Sequence, residues 1–318
     1  MKEDVMSRRN LSLIIITLLL VGCMSTAVYV ESGITSLVQI TTDRSYELDP
    51  TFSKDGNKLF FASDRSGFLE IWAVPINGGG IQQITSNSAL SADRAPNPSP
   101  DMSEVVFQST RVTGVFNIWK ISLGNRGLVQ LTNNPYGSVT PKWSPDGKSI
   151  AYAALDVNKN EYVWTIGASG ENPTQLGPGT EPDWSPDGKR IVFSKKTKSN
   201  NYDIWIMNAD GTNQEQLTTS EEKQETSPVW SPDGKRITYV VKYSSQDYFS
   251  LNQGKISTWF SVKSEVWLMD LQGRNTTQLT AFQGINVFPA WSPDSKKIVF
   301  VSSRSNNWDI WTMVPLLN

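Results

Sequence analysis

The 318-residue chain contains no histidine at all. That removes the usual general base near neutral pH and the commonest metal ligand. Its single cysteine, Cys23, lies near the N-terminus. Disulfides, zinc–thiolate sites and a cysteine nucleophile are thereby excluded from the rest of the chain. Basic residues number 29 and acidic residues 31, so no net positive field favours nucleic acid. No Gly-x-Ser-x-Gly nucleophile elbow is present. No stretch keeps a 3.6-residue apolar period over 11 residues, which leaves nothing to read as an amphipathic helix. The apolar fraction is a modest 38%, but 12 tryptophans raise the value of each apolar position.

The first 30 residues read as a targeting segment rather than fold. Arg8 and Arg9 supply a positive start, and Leu11–Val21 is uncharged and apolar. The run ends in Leu20-Val21-Gly22-Cys23, which resembles a bacterial lipobox: residues 1–22 form a signal peptide and Cys23 takes the lipid. The alternative is an uncleaved signal anchor, since Leu11–Val30 is long enough to span a bilayer. Both readings put everything after Val30 outside the cytoplasm. The expected product is a periplasmic or cell-surface lipoprotein, and Met24, standing where an Asp would signal inner-membrane retention, favours the outer membrane.

One phrase then recurs. Trp143-Ser-Pro-Asp-Gly-Lys148 is repeated at Trp184–Lys189 and Trp230–Lys235 and nearly copied at Trp291–Lys296, with weaker versions at Phe52–Gly56 and Asn97–Asp101. The aspartates fall at 55, 101, 146, 187, 233 and 294. Each copy continues with an apolar run such as Ile191-Val-Phe193. An apolar pair ending in Trp follows (Ile71-Trp72, Ile118-Trp119, Val163-Trp164, Ile204-Trp205, Val266-Trp267, Ile310-Trp311). Gln-Leu-Thr or Gln-Ile-Thr closes the unit at Gln39, Gln83, Gln130, Gln216 and Gln278, with Gln175-Leu-Gly177 as the exception. Ser-Pro-Asp-Gly has the chemistry of a tight turn. The runs between are β-branched, aromatic and short, so each unit reads as four strands. Four strands at a period near 45 predict an all-β, six-bladed propeller of four-stranded blades over residues 36–318, joined to Cys23 by a tether at 23–35.

The chain ends after the Ile310-Trp311 strand, with no fourth strand for the last unit, and Gln39-Ile-Thr41 precedes any complete unit. Residues 36–41 are therefore predicted to pair with residues 308–315 and close the last blade.

Trp-Ser-Pro-Asp-Gly-Lys-x-Ile, then Ser-x-Arg in three copies (Ser63-Asp-Arg65, Ser109-Thr-Arg111, Ser302-Ser-Arg304), then Ile-Trp and Gln-Leu-Thr, resembles the TolB-type propeller repeat over about residues 37–316. The resemblance implies the propeller fold and an envelope protein that binds another protein. TolB proteins carry an N-terminal α/β domain for which residues 1–35 leave no room, so membership of the Tol–Pal system is not carried over.

The repeated aspartates read as turn formers and not as catalytic or calcium-binding groups. The unit of Trp230 has about 16 extra residues in the region 242–264, holding Tyr243, Tyr248, Phe249, Trp259 and Phe260. Such a loop is a candidate binding surface, the alternative being that it packs its own aromatics. Arg65, Arg111 and Arg304 share one repeat position and are candidates to ring the channel mouth for an anionic partner, or else to pair with neighbouring acids such as Asp64 or with carbonyl groups. The leading expectation is a monomeric, non-catalytic, lipid-anchored envelope protein that binds another protein, with no cofactor, no metal and no nucleic acid. A carbohydrate- or peptide-binding module is the second reading. A polysaccharide-acting enzyme using paired carboxylates is the third, weakened because related propeller lyases hold metal through histidine.

Overall fold

A computed structural model describes residues 33–86, 91–243, 249–252, 255–259, 263–281 and 284–317. The Cys23 lipid site, Tyr248 and Phe260 lie outside the described residues. Six four-stranded antiparallel sheets succeed one another along the chain, and the described residues contain no helix. The expected six-bladed propeller is the observed fold. Blade 1 runs from its inner strand Glu47–Phe52 through Lys58–Ser63 and Glu70–Pro75 to the outer Gln82–Gln83. Blades 2 to 5 begin at Asp93, Ser138, Thr180 and Gln224 and repeat that order. Apolar clusters lie between neighbouring blades. Val106 and Ile118 of blade 2, for example, pack with Trp143, Ile150 and Tyr152 of blade 3. Burial on both faces explains why the middle strands read as unbroken apolar runs.

Blade 6 is the composite that was expected. Asn286–Trp291, Ile298–Ser302 and Asp309–Pro315 are completed by Ile34–Gln39, which begins two residues earlier than predicted. Gln39 sits opposite Trp311, just as Gln83 sits opposite Trp72 and Gln216 opposite Trp205. The first strand thus occupies the outer position in the common register.

The Gln-x-Thr motif has a clear job at that position. The Thr hydroxyl accepts the backbone N–H of the residue before the third-strand Trp: Thr85 from Ile71 (2.9 Å), Thr218 from Ile204 (3.0 Å) and Thr41 from Ile310 (2.8 Å). The Gln amide donates to the acid one residue earlier, Gln83 to Glu70 (2.6 Å) and Gln216 to Asp203 (2.6 Å). These bonds hold an outer strand that in several blades is only two residues long. Blade 3 has Tyr162 in place of the acid and Gly177 in place of the Thr.

The Ser-Pro-Asp-Gly turns behave as read. The Gly188 N–H donates to the Ser185 carbonyl (2.9 Å), while Asp187 accepts from the Ser185 hydroxyl (2.6 Å) and the Lys189 N–H (3.1 Å). The Ser185 hydroxyl bond, the largest cause, and the Lys189 N–H hold the Asp187 carboxyl below the ordinary range. Gly188 has φ +69°, and Met102 and Ser295 adopt φ 61° and 58° at the same place in blades 2 and 6.

Candidate functional site: the central channel and the loop face

Every inner strand carries a feature not anticipated from the sequence. Asp49, Ala95, Thr140, Glu181, Ser227 and Phe288 all have φ between 51° and 54°, and each is followed by a proline. At each point two inner-strand residues face one residue of the second strand, as where Asp49-Pro50 face Phe61. These are six β-bulges, one per blade. Proline cannot donate to a ladder, so an inner edge is where it can sit. Left-handed φ is uncommon for any non-glycine residue and a genuine outlier for Thr140 and Phe288. The signal was present in the sequence as Pro-x-Trp before three of the Ser-Pro-Asp-Gly turns and the near copy at Trp291, with Pro50-Thr-Phe52 and Pro96-Asn-Pro98 in the others.

All six bulges line one cavity of about 590 Å³ at the centre of the ring. Its acidic groups are each hydrogen-bonded across a blade boundary. Arg94 of blade 2 makes a two-point bond to Asp49 of blade 1 (2.9 and 3.0 Å), and Asp49 also accepts the Ala95 N–H (3.1 Å). Glu181 of blade 4 accepts the Ser227 N–H (2.6 Å) and hydroxyl (3.0 Å) from blade 5. Tyr202 of blade 4 donates its hydroxyl to Glu161 of blade 3 (2.6 Å). Burial pushes the Glu161 carboxyl above the ordinary range; the Tyr202 bond opposes this and the Glu181 charge reinforces it. Asp183 accepts the Trp230 N–H (2.9 Å), and burial pushes its carboxyl up to about 6 against the pull of Lys142.

None of Arg65, Arg111 and Arg304 lines this cavity, and the arginine that does is Arg94. The three motif arginines clamp their own blades instead. Arg65 stacks on Phe61 and Trp72 (5.1 and 5.4 Å), donates Nε to the Ser63 hydroxyl (3.0 Å) and Nη2 to Glu47 (2.9 Å). Arg111 repeats this with Phe107, Trp119, Ser109 and Asp93, and Arg304 with Phe300, Trp311, Ser302 and Asn286. The acceptor at the start of the inner strand is Glu47, Asp93 or the Asn286 amide oxygen, and Arg65 also pairs with Asp43 (3.3 Å) rather than with the neighbouring Asp64.

Tyr243 occupies that same repeat position in blade 5, two residues past the partner of Glu225. It is partly exposed, with the Lys263 and Lys223 ammonium groups 4.9 and 5.5 Å from its ring. The insertion beyond it contains an added antiparallel hairpin, Phe249–Asn252 with Lys255–Trp259, in which Phe249 is the register partner of Trp259. It leaves the ring between second and third strands, on the face opposite the Ser-Pro-Asp-Gly turns. Trp308 is buried in the core.

A family model described as the TolB beta propeller domain matches residues 136–249. An uncharacterized protein of Agrobacterium fabrum is 32% identical over 134 residues, 39% of this chain and 44% of its own length. The Tol-Pal system protein TolB of Campylobacter jejuni is 29% identical over 119 residues, 36% of this chain and 28% of its own. The chain thus spans less than half the length of these curated relatives. The structure of a putative TolB from Agrobacterium tumefaciens superposes with a TM-score of 0.66 at 21% identity, covering 86% of this chain and 91% of that one, a likeness of fold. The chain is thus similar to the TolB beta propeller domain over residues 136–249, and its fold is a six-bladed propeller.

Proposed function

We propose that this protein is an exported, lipid-anchored scaffold of the cell envelope whose propeller binds another protein through its loop face. The observation that carries the reading is the departure from six-fold regularity in blade 5. There alone, among the described residues, an extra hairpin rises from the face on which the loops between second and third strands open. Loops held by a rigid scaffold are where binding residues concentrate, and Tyr243, Tyr248, Phe249, Trp259 and Phe260 supply the residue types of interface hot spots. Support of a second kind comes from the channel. Its Asp49, Glu161 and Glu181 carboxylates are each hydrogen-bonded to a neighbouring blade, an arrangement suited to holding a shape. The relatives that bear the TolB name favour an envelope location and a protein partner. Attachment at Cys23 completes the reading.

The test is a pull-down from detergent-solubilised envelope with the full chain and with a variant lacking residues 244–262, each verified as folded by its melting temperature. A protein partner captured by the full chain and lost in the variant is the expected result. Retention on a glycan column without a protein partner favours the carbohydrate-binding alternative. Turnover of a polysaccharide overturns both. Labelling with a radioactive fatty acid, lost in Cys23→Ser, checks the anchor.

A further inference from the structure

The arginine clamp has a counterpart without an arginine. In five blades a cation lies over the third-strand Trp: Arg65 on Trp72, Arg111 on Trp119, Lys195 on Trp205 (4.3 Å), Lys223 on Trp267 (6.0 Å) and Arg304 on Trp311. In blade 3 that residue is Trp164, and among the described residues no cation lies over it. The strand register shows what replaces each part of the clamp. Tyr152 is the partner of Trp164, as Phe61 is of Trp72. Ser138, paired with Ala154, stands where Glu47, paired with Ser63, stands in blade 1. Asp156, two residues past Ala154, takes the place of Arg65. Blade 3 therefore keeps the aromatic walls, loses the guanidinium and gains a carboxylate at its position.

A cavity of about 530 Å³ lies there, lined by Ser138, Tyr152, Asp156, Tyr162, Trp164 and Gln175 among others. Two observations mark it as a site rather than a packing fault. Ser138 is 1% exposed, yet its hydroxyl has no hydrogen-bond partner among the described residues, and a buried hydroxyl left unpaired is costly. Asp156 is fixed by the N–H groups of Asn158 (2.7 Å) and Asn160 (2.9 Å) and by the Asn160 amide (2.9 Å). Those bonds use three of the roughly four acceptor positions of a carboxylate, and its negative charge is not cancelled by an ion pair with any described residue. Lys159, on the same loop, lies over Tyr136 (5.9 Å).

We propose that this cavity is a slot for a guanidinium group brought by another molecule, seated between Tyr152 and Trp164 with Asp156 and Ser138 as acceptors. The geometry is the intramolecular clamp of blades 1, 2 and 6 with the cation supplied from outside. A guanidinium is planar, stacks on aromatic faces and donates at several points, so it fits where an ammonium would satisfy fewer acceptors. The slot opens beside the loop Asn133–Pro135 between blades 2 and 3, away from the blade 5 hairpin, and stands independently of the scaffold reading above.

Calorimetric titration of the full chain in detergent tests this with three probes: N-acetyl-arginine methylamide, blocked Gly-Arg-Gly and blocked Gly-Lys-Gly. Both arginine probes should bind, with the lysine peptide at least about tenfold weaker. Asp156→Asn should weaken arginine binding about tenfold. The double variant Ser138→Asp with Asp156→Arg rebuilds the internal clamp, so it should abolish binding while holding or raising the melting temperature. Tighter binding of the tripeptide than of the single residue identifies a protein-borne arginine, and equal binding a small guanidinium compound. The proposal is overturned if neither arginine probe binds at millimolar concentration, if lysine binds as well as arginine, or if the folded double variant binds like the parent.

Discussion

The side-chain amide of Gln39 donates to the Asp309 carboxylate at 2.9 Å, across 270 positions of sequence. Beside it, the Thr41 hydroxyl accepts the Ile310 N–H and donates to Glu47 (2.9 Å), joining the first strand to blades 6 and 1 at once. Ring closure uses the same bonds that hold the outer strand in blades 1 and 4.

Thr41→Val removes the hydroxyl and leaves a buried N–H and a buried carboxyl short of a partner. The expected cost is about 2–3 kcal/mol, or several degrees in melting temperature for a domain of this size. Deleting residues 36–41 should be far more severe, since the whole strand and the buried Leu37 go with it. Thermal unfolding followed by circular dichroism measures both, and an unchanged transition in the deletion would refute this closure.

Burial pushes the Glu47 carboxyl up to about 9; Asp43 adds to this, while Thr41 and Arg65 oppose it. Between its ordinary value and about 9 the folded state holds a proton that the unfolded chain releases. This contribution to stability is complete below about pH 4.5 and is lost as the pH rises through 9. Glu47→Gln removes the titration. Its melting temperature should therefore fall less than that of the parent between about pH 5 and about pH 9. Parallel slopes for the two proteins would contradict the assignment.

Gly188 turns at φ +69°, and a methyl group there would meet only the Pro145 ring edge at 3.8 Å. Space is available, so the cost of Gly188→Ala is conformational, about 1 kcal/mol. Gly188→Asn should cost less, because Asn tolerates the left-handed region. Chemical denaturation of the pair separates strain from crowding: crowding would make Asn the worse of the two.

Asp49→Ala leaves the Arg94 guanidinium and the Ala95 N–H without their shared acceptor. A loss of about 2–4 kcal/mol is expected, with Asp49→Asn intermediate because it keeps one acceptor oxygen. Equilibrium denaturation of both variants gives the comparison, and no loss in Asp49→Ala would show that this seam is held by packing alone.

The architecture was legible because it is written six times over. The turn phrase, the Ile-Trp strand and the Gln-x-Thr ending each recur at fixed offsets, and even the composite blade follows from counting strands at the two ends. What the motifs do was less legible. Ser63-Asp-Arg65 shows an arginine at a constant place, but its acid, Glu47, lies 18 residues away on the preceding strand, so spacing pointed to the nearby Asp64. The inner-strand bulges were hidden for a different reason. Each proline stands just ahead of a turn phrase whose own signal is stronger, and the residue before it varies completely in type. The slot in blade 3 appears only when one copy is laid against the others in register, because Ser138 and Asp156 are unremarkable residues in themselves.

The six prolines that follow the left-handed residues have a consequence for how such a ring can diversify. The bore of the channel is set by backbone dihedrals and proline rings, which do not depend on the side chain one residue earlier. At that position this chain carries Asp, Ala, Thr, Glu, Ser and Phe, six different residues on one unchanging frame. Lining chemistry and bore are therefore separate variables: a new wall can be written one blade at a time while the aperture keeps its gauge.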